Sequence, residues 1–196
     1  MKKYVTLATG TKVSLTWGVP TAEDLAIALP RIARFTGNGI EWFPVALHTF
    51  VVCDLLPGPL KFYGLLHDGP EIVGNDVPSP VKSPVTRRRE EVIFRRMIAA
   101  AGLRQLYTEE EHLLKWADTA ALLGEIWTLG PPALRADYPR RAPTAEAMIL
   151  DYWKKYPALD CLKSSGRCAK EFLRRYQMYY DIAAIAGITS APETAS

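Results

Sequence analysis

The apolar run Phe62-Tyr63-Gly64-Leu65-Leu66 ends in His67-Asp68 and continues into Gly69-Pro70-Glu71. A run this apolar has to be buried, and it takes an imidazole and a carboxylate in with it. Buried polar groups are costly unless partnered, and joint coordination of a divalent metal is the simplest partner for both. Read as one helix from about Leu60 to Val73, the segment sets Glu71 three residues after Asp68 and four after His67, so all three project toward one side. Adjacent residues diverge by about 100° around a helix axis, so a metal between residues 67 and 68 needs further ligands from neighbouring helices.

The rest of the chain reads as mostly helical. Tyr4 to Leu7 and Lys12 to Leu15, flanking Ala8-Thr9-Gly10-Thr11, form a short β-hairpin. Thr21, followed by Glu23 and Asp24, opens a helix that Pro30 ends or kinks before Arg31 to Phe35 resume it. Thr36 to Glu41 is a loop. Pro44 suits the first turn of a helix to about Leu55, which Pro57-Gly58-Pro59 breaks. After a proline-punctuated loop to Pro84, Thr86 caps a helix of Arg87 to Ala101, with Gly102 behind it, and Glu109 to Leu129 carries another apolar period. Gly130 to Pro143 reads as irregular, Thr144 to Tyr156 and Arg167 to Ile185 as closing helices, and Thr189 to Ser196 as a frayed tail.

Composition bounds the class. The 196 residues, 48% hydrophobic and 23% charged, can bury a full core as a single domain spanning 1–196. No apolar stretch approaches the roughly 18 residues of a membrane span, and Met1-Lys2-Lys3-Tyr4 lacks a signal-peptide core, so the expectation is a cytoplasmic protein without membrane contact. Cys53, Cys161 and Cys168 form no C-x-x-C pair, which argues against a disulfide framework or a zinc knuckle. A net charge of +3 suits an anionic ligand without calling for nucleic acid. Arg87-Arg88-Arg89 beside Glu90-Glu91 reads as a solvated helix face, and His112, next to Glu109 to Glu111, is not counted among the ligands.

Leu65-Leu66-His67-Asp68-Gly69-Pro70-Glu71, followed by Gly74-Asn75-Asp76-Val77-Pro78-Ser79-Pro80-Val81-Lys82, resembles the signature of HD-domain phosphohydrolases. More narrowly it is similar to bacterial 5′-deoxynucleotidases and to related phage enzymes, some of which are deoxynucleoside triphosphate triphosphohydrolases. Arg31 to Phe35 with Phe43 to Thr49 resembles that family's upstream elements, and Leu114-Lys115-Trp116-Ala117-Asp118 its Lys-x-Ala-Asp element. The resemblance covers roughly residues 20 to 125; the closing helices, within 144–186, carry none of its motifs. It implies an all-α fold, an HD-domain helical bundle with a small N-terminal β-hairpin, and assembly as a homo-oligomer, a dimer or higher.

The resemblance also implies the site. His48, His67, Asp68 and Asp118 would be the metal ligands, two imidazoles and two carboxylates. Such a mixed set suits one divalent transition metal, with Co, Mn or Zn foremost and its identity open. Positions left open on the ion would take water and a phosphate oxygen. Glu71 is the candidate to orient that water or act as general acid/base, with Asp76 as the other candidate. Asp76 and Ser79 are placed at the substrate. Arg34 and Lys82 are candidate phosphate clamps, against the alternative of solvated cations. Phe35 stands where relatives carry Trp, and either stacks on the substrate or packs in the core. Leu47 stands where relatives carry Glu, which predicts a lost hydrogen bond behind the first ligand histidine.

Three functions follow as expectations. The first is a 5′-deoxynucleotidase, taking a deoxynucleoside monophosphate to deoxynucleoside and phosphate. The second is a triphosphohydrolase that releases triphosphate from a deoxynucleoside triphosphate. The third is a catalytically silent nucleotide-binding module on the same scaffold.

Overall fold

The structure, a computed structural model, describes residues 4–14, 16–163 and 166–189. Leu15 of the expected hairpin and residues 190–196 of the expected tail lie outside the described residues. The fold is mostly helical with one small antiparallel sheet at its N-terminal end. The sheet pairs β1 (Val5–Thr6) with β2 (Lys12–Val13) in the register Val5 to Val13. Among the described residues no helix is long and apolar enough to cross a membrane.

Thr21 caps α1 (Ala22–Ala28) in a capping box with Asp24. The buried Asp24 carboxylate also accepts from the Thr9 amide at 3.2 Å and the Thr9 hydroxyl at 2.8 Å, so one side chain ties the hairpin to the first helix. Helix does not resume after Pro30. Leu29–Arg31 and Arg34–Gly37 are separate 3₁₀ turns, with Ile32 extended between them. The extended stretch is held by a bridge from Ala33 to Pro44. Phe35 and Thr36 adopt φ of 56° and 51°, the left-handed region that bulky and β-branched residues rarely enter.

The centre of the molecule is α2 (Val45–Leu55), in which every residue from Val45 to Cys53 is buried. It packs against α3 (Leu60–Leu66). The expected helix to Val73 stops there: the chain turns through 67–70 and re-forms only as the single turn α4 (Glu71–Gly74). Pro70 lacks an amide hydrogen and its ring clashes with the carbonyl four residues back, so the α pattern cannot continue. The segment instead tightens to i to i−3 bonds, Gly69 to Leu66 at 2.9 Å and Glu71 to Asp68 at 3.0 Å.

α5 (Pro84–Ala100) starts three residues earlier than the expected Arg87, because the cap is Ser83 rather than Thr86: the Ser83 hydroxyl accepts from the Thr86 amide at 3.1 Å and Pro84 occupies the first turn. α6 (Thr108–Thr128) is the longest helix and packs on α2. The stretch expected to be irregular contains α7 (Pro132–Asp137), started by a proline at its first position. α8 (Pro143–Lys155) lies close against α6 at Gly124. A Cβ there would meet Ile149 Cδ1 at 2.7 Å and Ala145 Cβ at 2.9 Å, so only glycine permits that approach. The short α9 (Ala158–Cys161) and the closing α10 (Arg167–Ile185) complete the chain, with α8 and α10 both touching α2.

Away from the histidines, α2, α8 and α10 are joined by Arg175. Its guanidinium reaches Asp54 Oδ1 at 2.9 Å, Glu171 Oε1 at 2.8 Å and the Tyr152 hydroxyl at 2.5 Å, and lies 4.6 Å from the Phe50 ring centroid. Arg174 and then Arg175 hold the Glu171 carboxyl down at about 2. A carboxylate depressed in the fold contributes stability above its unfolded value near 4.5 and loses it as pH falls toward 2. Glu171→Gln is therefore expected to cost about 1–2 kcal/mol near neutral pH, allowing for solvent screening, and nothing near pH 2. Urea midpoints of both proteins from pH 7 to pH 2 check this; a constant gap would contradict it.

Candidate metal centre

Because α2 is buried on all sides from Val45 to Cys53, His48 in its first turn is fully enclosed. His67 and Asp68 arrive from the turn after α3, and Asp118 from the middle of α6. The two imidazole rings stand 5.5 Å apart. His48 Nε2 lies 3.1 Å from Asp118 Oδ1 and 3.5 Å from Asp68 Oδ2; His67 Nε2 lies 3.2 Å from Asp68 Oδ1 and 3.9 Å from Asp118 Oδ1. Four ligands each about 2.0–2.1 Å from one ion sit about 3.3 Å apart, so these separations suit a shared ion. His48, His67 and Asp118 form a group able to hold a metal, and Asp68 lies against both of its imidazoles.

The hydrogen bonds behind the imidazoles point the same way. The Gly64 carbonyl takes the His67 Nδ1 proton at 2.7 Å, and Glu125 Oε1 takes that of His48 at 2.6 Å. Each leaves Nε2 to face the carboxylates, the usual arrangement of a ligating histidine. His67 Nε2, Asp68 Oδ2 and Glu71 Oε2 are buried with no hydrogen-bond partner among the described residues. A divalent ion between the histidines would satisfy the first two, so the donor set fits a metal.

Electrostatics give the same answer. Burial, reinforced by Asp68 and Asp76, pushes the Glu71 carboxyl up to about 9. Asp76 is raised as well, chiefly by burial and against the pull of Arg34. Burial and Arg34 oppose charge on His48, yet Glu125 and Asp118 outweigh them and push it up to about 10. Asp118 is held well below its ordinary value, burial being overcome by His48, His67 and Arg34. Glu71 and Asp76 carboxyls that resist ionising, beside a His48 imidazole that retains its proton, describe a place short of positive charge.

Glu71 opens α4 one tight turn beyond Asp68. At three residues per turn, positions 68 and 71 eclipse, so the break that ends α3 still sets the two carboxylates on one side. Asp76 follows Asn75, which takes φ 62°, and pairs with Arg34 at 3.4 Å. Arg34 is also held by Glu125 Oε2 at 3.0 Å. Lys82 is not a solvated cation: its Nζ lies 2.9 Å from Glu90 and 3.8 Å from Glu71. The Ser79 backbone belongs to a 3₁₀ turn, Ser79–Val81, but its side chain lies outside the described residues.

Arg34, Phe35, Glu71 and Lys82 line a cavity of about 180 Å³ that reaches Asp68 and Asp118. Leu122, Ile126, Leu134 and Tyr138, from α6 and from α7 and its end, line it as well. A larger cavity of about 460 Å³, lined by Trp116, Leu123, Arg141 and Thr144 among others, contains none of the expected site residues. His112 is exposed and takes no part in the centre.

The sequence reading missed Glu125 and the α7 wall. Glu125 stands seven residues after Asp118, two turns along the same face of α6, in the apolar run Ala120-Ala121-Leu122-Leu123-Gly124. A fully buried carboxylate in such a run is the same signal that marked His67-Asp68. It also corrects the expectation drawn from Leu47. That residue is core, and the hydrogen bond behind His48 is present, supplied by Glu125 from another helix.

No family model matches the chain. It is 32% identical over 109 residues to YfdR, an uncharacterized protein of Escherichia coli (strain K12). The match covers 55% of this chain and 60% of that protein, so less than two thirds of the relative's length is spanned.

Proposed function

We propose that this chain is a divalent-metal-dependent phosphohydrolase of the HD-domain type, acting on 2′-deoxynucleotides as a 5′-deoxynucleotidase. The observation that carries the reading is the convergence of His48, His67, Asp68 and Asp118 on one small volume, with Glu71 and two cationic side chains lining the adjoining cavity. Bound among these four, a divalent ion supplies Lewis acidity toward a phosphoryl oxygen and acidifies water, which removes the need for a serine or cysteine nucleophile.

The remaining steps belong to the chain. Arg34 and Lys82 face the phosphate, and their charge stabilises the oxygens that gain negative charge as phosphorus is attacked. The P–O bond to water forms, the P–O5′ bond breaks, and the nucleoside leaves as an alcohol. With a cation held among the ligands offsetting the burial and the acidic neighbours that raise its carboxyl, Glu71, whose Oε2 is buried and unpartnered among the described residues, would be placed to take the proton that water gives up and return it to the 5′-oxygen. Phe35, Leu134 and Tyr138 give the cavity an apolar side for a sugar or base beside the phosphate.

The monophosphate is favoured over the triphosphate because Arg34 and Lys82 are the cationic residues among those lining the cavity, and both already share their charge with carboxylates. The test is to strip the protein of metal, reload it separately with Mn, Co, Zn and Mg, and resolve the products from each deoxynucleoside mono- and triphosphate. Deoxynucleoside plus orthophosphate is the expected result. Deoxynucleoside plus intact triphosphate would replace it with the triphosphohydrolase, and no product from any pair would leave the silent binding module.

A further inference from the structure

Among the described residues, Glu125 is the one fully buried carboxylate that touches both halves of the site and that neither the metal set nor the proton transfer uses. Its two oxygens serve different partners. Oε1 lies 2.6 Å from His48 Nδ1 and Oε2 lies 3.0 Å from Arg34 Nε. Arg34 in turn reaches Asp76 at 3.4 Å, at the cavity's loop side. The carboxylate is fully buried, with one oxygen accepting from an imidazole N–H and the other from a guanidinium N–H. A carboxylate is rigid and planar, which makes the position of one partner depend on the position of the other.

We propose that Glu125 is a positioning residue for both subsites: through one oxygen it fixes the proton of His48 on Nδ1 and turns Nε2 toward the metal, and through the other it orients the Arg34 guanidinium toward a bound phosphate. The arrangement rests on the metal-centre reading above and adds a residue that touches neither the ion nor the substrate. The placement of α6 supplies the physical reason. Asp118 ligates from one turn and Glu125 supports from two turns later on the same face, so a single helix carries a ligand together with the anion that orients another ligand. Arg34 sits on an irregular turn whose backbone enters the left-handed region, and an irregular turn needs such a tether to place a long side chain reproducibly.

The decisive variant is Glu125→Gln, which keeps the volume and one hydrogen bond and removes the charge. Two titrations read it in the otherwise intact protein: Co(II) into the metal-stripped chain, followed by visible absorption, and inorganic phosphate into the Co-loaded chain. Co affinity is expected to fall roughly 10–100-fold, the usual cost of losing the group behind a ligating histidine, with phosphate affinity falling as well. Helical content by circular dichroism should be unchanged. A purely structural role would lower the melting temperature and leave both dissociation constants where they were, which would overturn the proposal. Should Glu125→Gln fail to fold, ¹⁵N spectra of histidine-labelled, Zn-loaded wild type decide: a proton on His48 Nδ1 supports the proposal, and a proton on Nε2 overturns it. Wild type that takes up no Co would overturn the metal centre and this proposal together, whereas wild type and variant binding Co and phosphate alike would overturn this proposal alone.

Discussion

Asp118→Ala is expected to leave the fold intact and to reduce metal-dependent hydrolysis by roughly 10²–10⁴-fold, the several kcal/mol that a bound metal contributes to such a reaction. The fold should survive because the Asp118 side chain is 46% exposed and the core of α6 is carried by Ala117, Ala121 and Ile126. The metal should not, because this carboxylate closes the group made with His48 and His67. Two measurements separate the effects. Without metal the variant should still fold but melt somewhat below wild type near neutral pH, since His48, His67 and Arg34 hold the Asp118 carboxyl below its ordinary value and its charge therefore stabilises the metal-free fold. With metal at about 100 times the wild-type dissociation constant, wild type gains about 2.7 kcal/mol and the variant far less. An equal metal-induced rise in both proteins would remove Asp118 from the centre.

Glu71→Gln is expected to divide binding from chemistry. It removes the group that moves the proton and none of the ligands, so the rate should fall roughly 10²–10⁴-fold while metal and nucleotide affinity hold. The same substitution has a consequence for stability in the metal-free protein. Burial beside Asp68 and Asp76 raises the folded carboxyl to about 9, against about 4.5 unfolded, so ionising it in the fold is unfavourable. For an acid raised by folding, the cost is absent below pH 4.5 and grows as pH rises toward 9. Metal-free Glu71→Gln should accordingly be more stable than metal-free wild type, by a margin that widens between those limits and shrinks once metal is added. Chemical denaturation at pH 4.5, 7 and 9 reads this directly; a margin independent of pH would mean that Glu71 is ionised throughout.

How far the residues alone reach is clearest around position 70. Gly69-Pro70 was in view, yet the apolar period on either side reads as one helix, because periodicity registers which residues are buried and not whether the coil between them has 3.6 or 3.0 residues per turn. The conclusion that Asp68 and Glu71 share a side survives for a different reason, the eclipsing of positions three apart in the tighter coil. The bounds of α10 and the centre of α2 were legible since both are long and strongly patterned. α7 was hidden in a proline-rich stretch, where prolines that open a helix look the same as prolines that break one. Phe35 was weighed between stacking and core; its side chain lines the cavity, and its left-handed backbone could not be read from its residue type.

Of the site, His67 and Asp68 were legible as polar residues ending an apolar run, whereas His48 and Asp118 were implied only by the family resemblance. The pairing of His48 with Glu125, 77 residues apart, was not, because it depends on α2 and α6 lying side by side. Lys82 was legible as a cation and not as the partner of Glu90, a carboxylate in the run taken for a solvated face. Arg89 from the same run donates to the Val73 carbonyl at 2.8 Å, which ties α5 to the end of α4 next to the site.

The proposed function requires one divalent ion among His48, His67, Asp68 and Asp118. Crystals of the protein grown with Mn and measured on either side of the Mn absorption edge test it most directly. A single anomalous peak is expected about 2.0–2.3 Å from His48 Nε2, His67 Nε2 and a carboxylate oxygen of Asp68 and of Asp118. A protein that crystallises with Mn in excess and shows no peak there, or a peak held by other side chains, would contradict it.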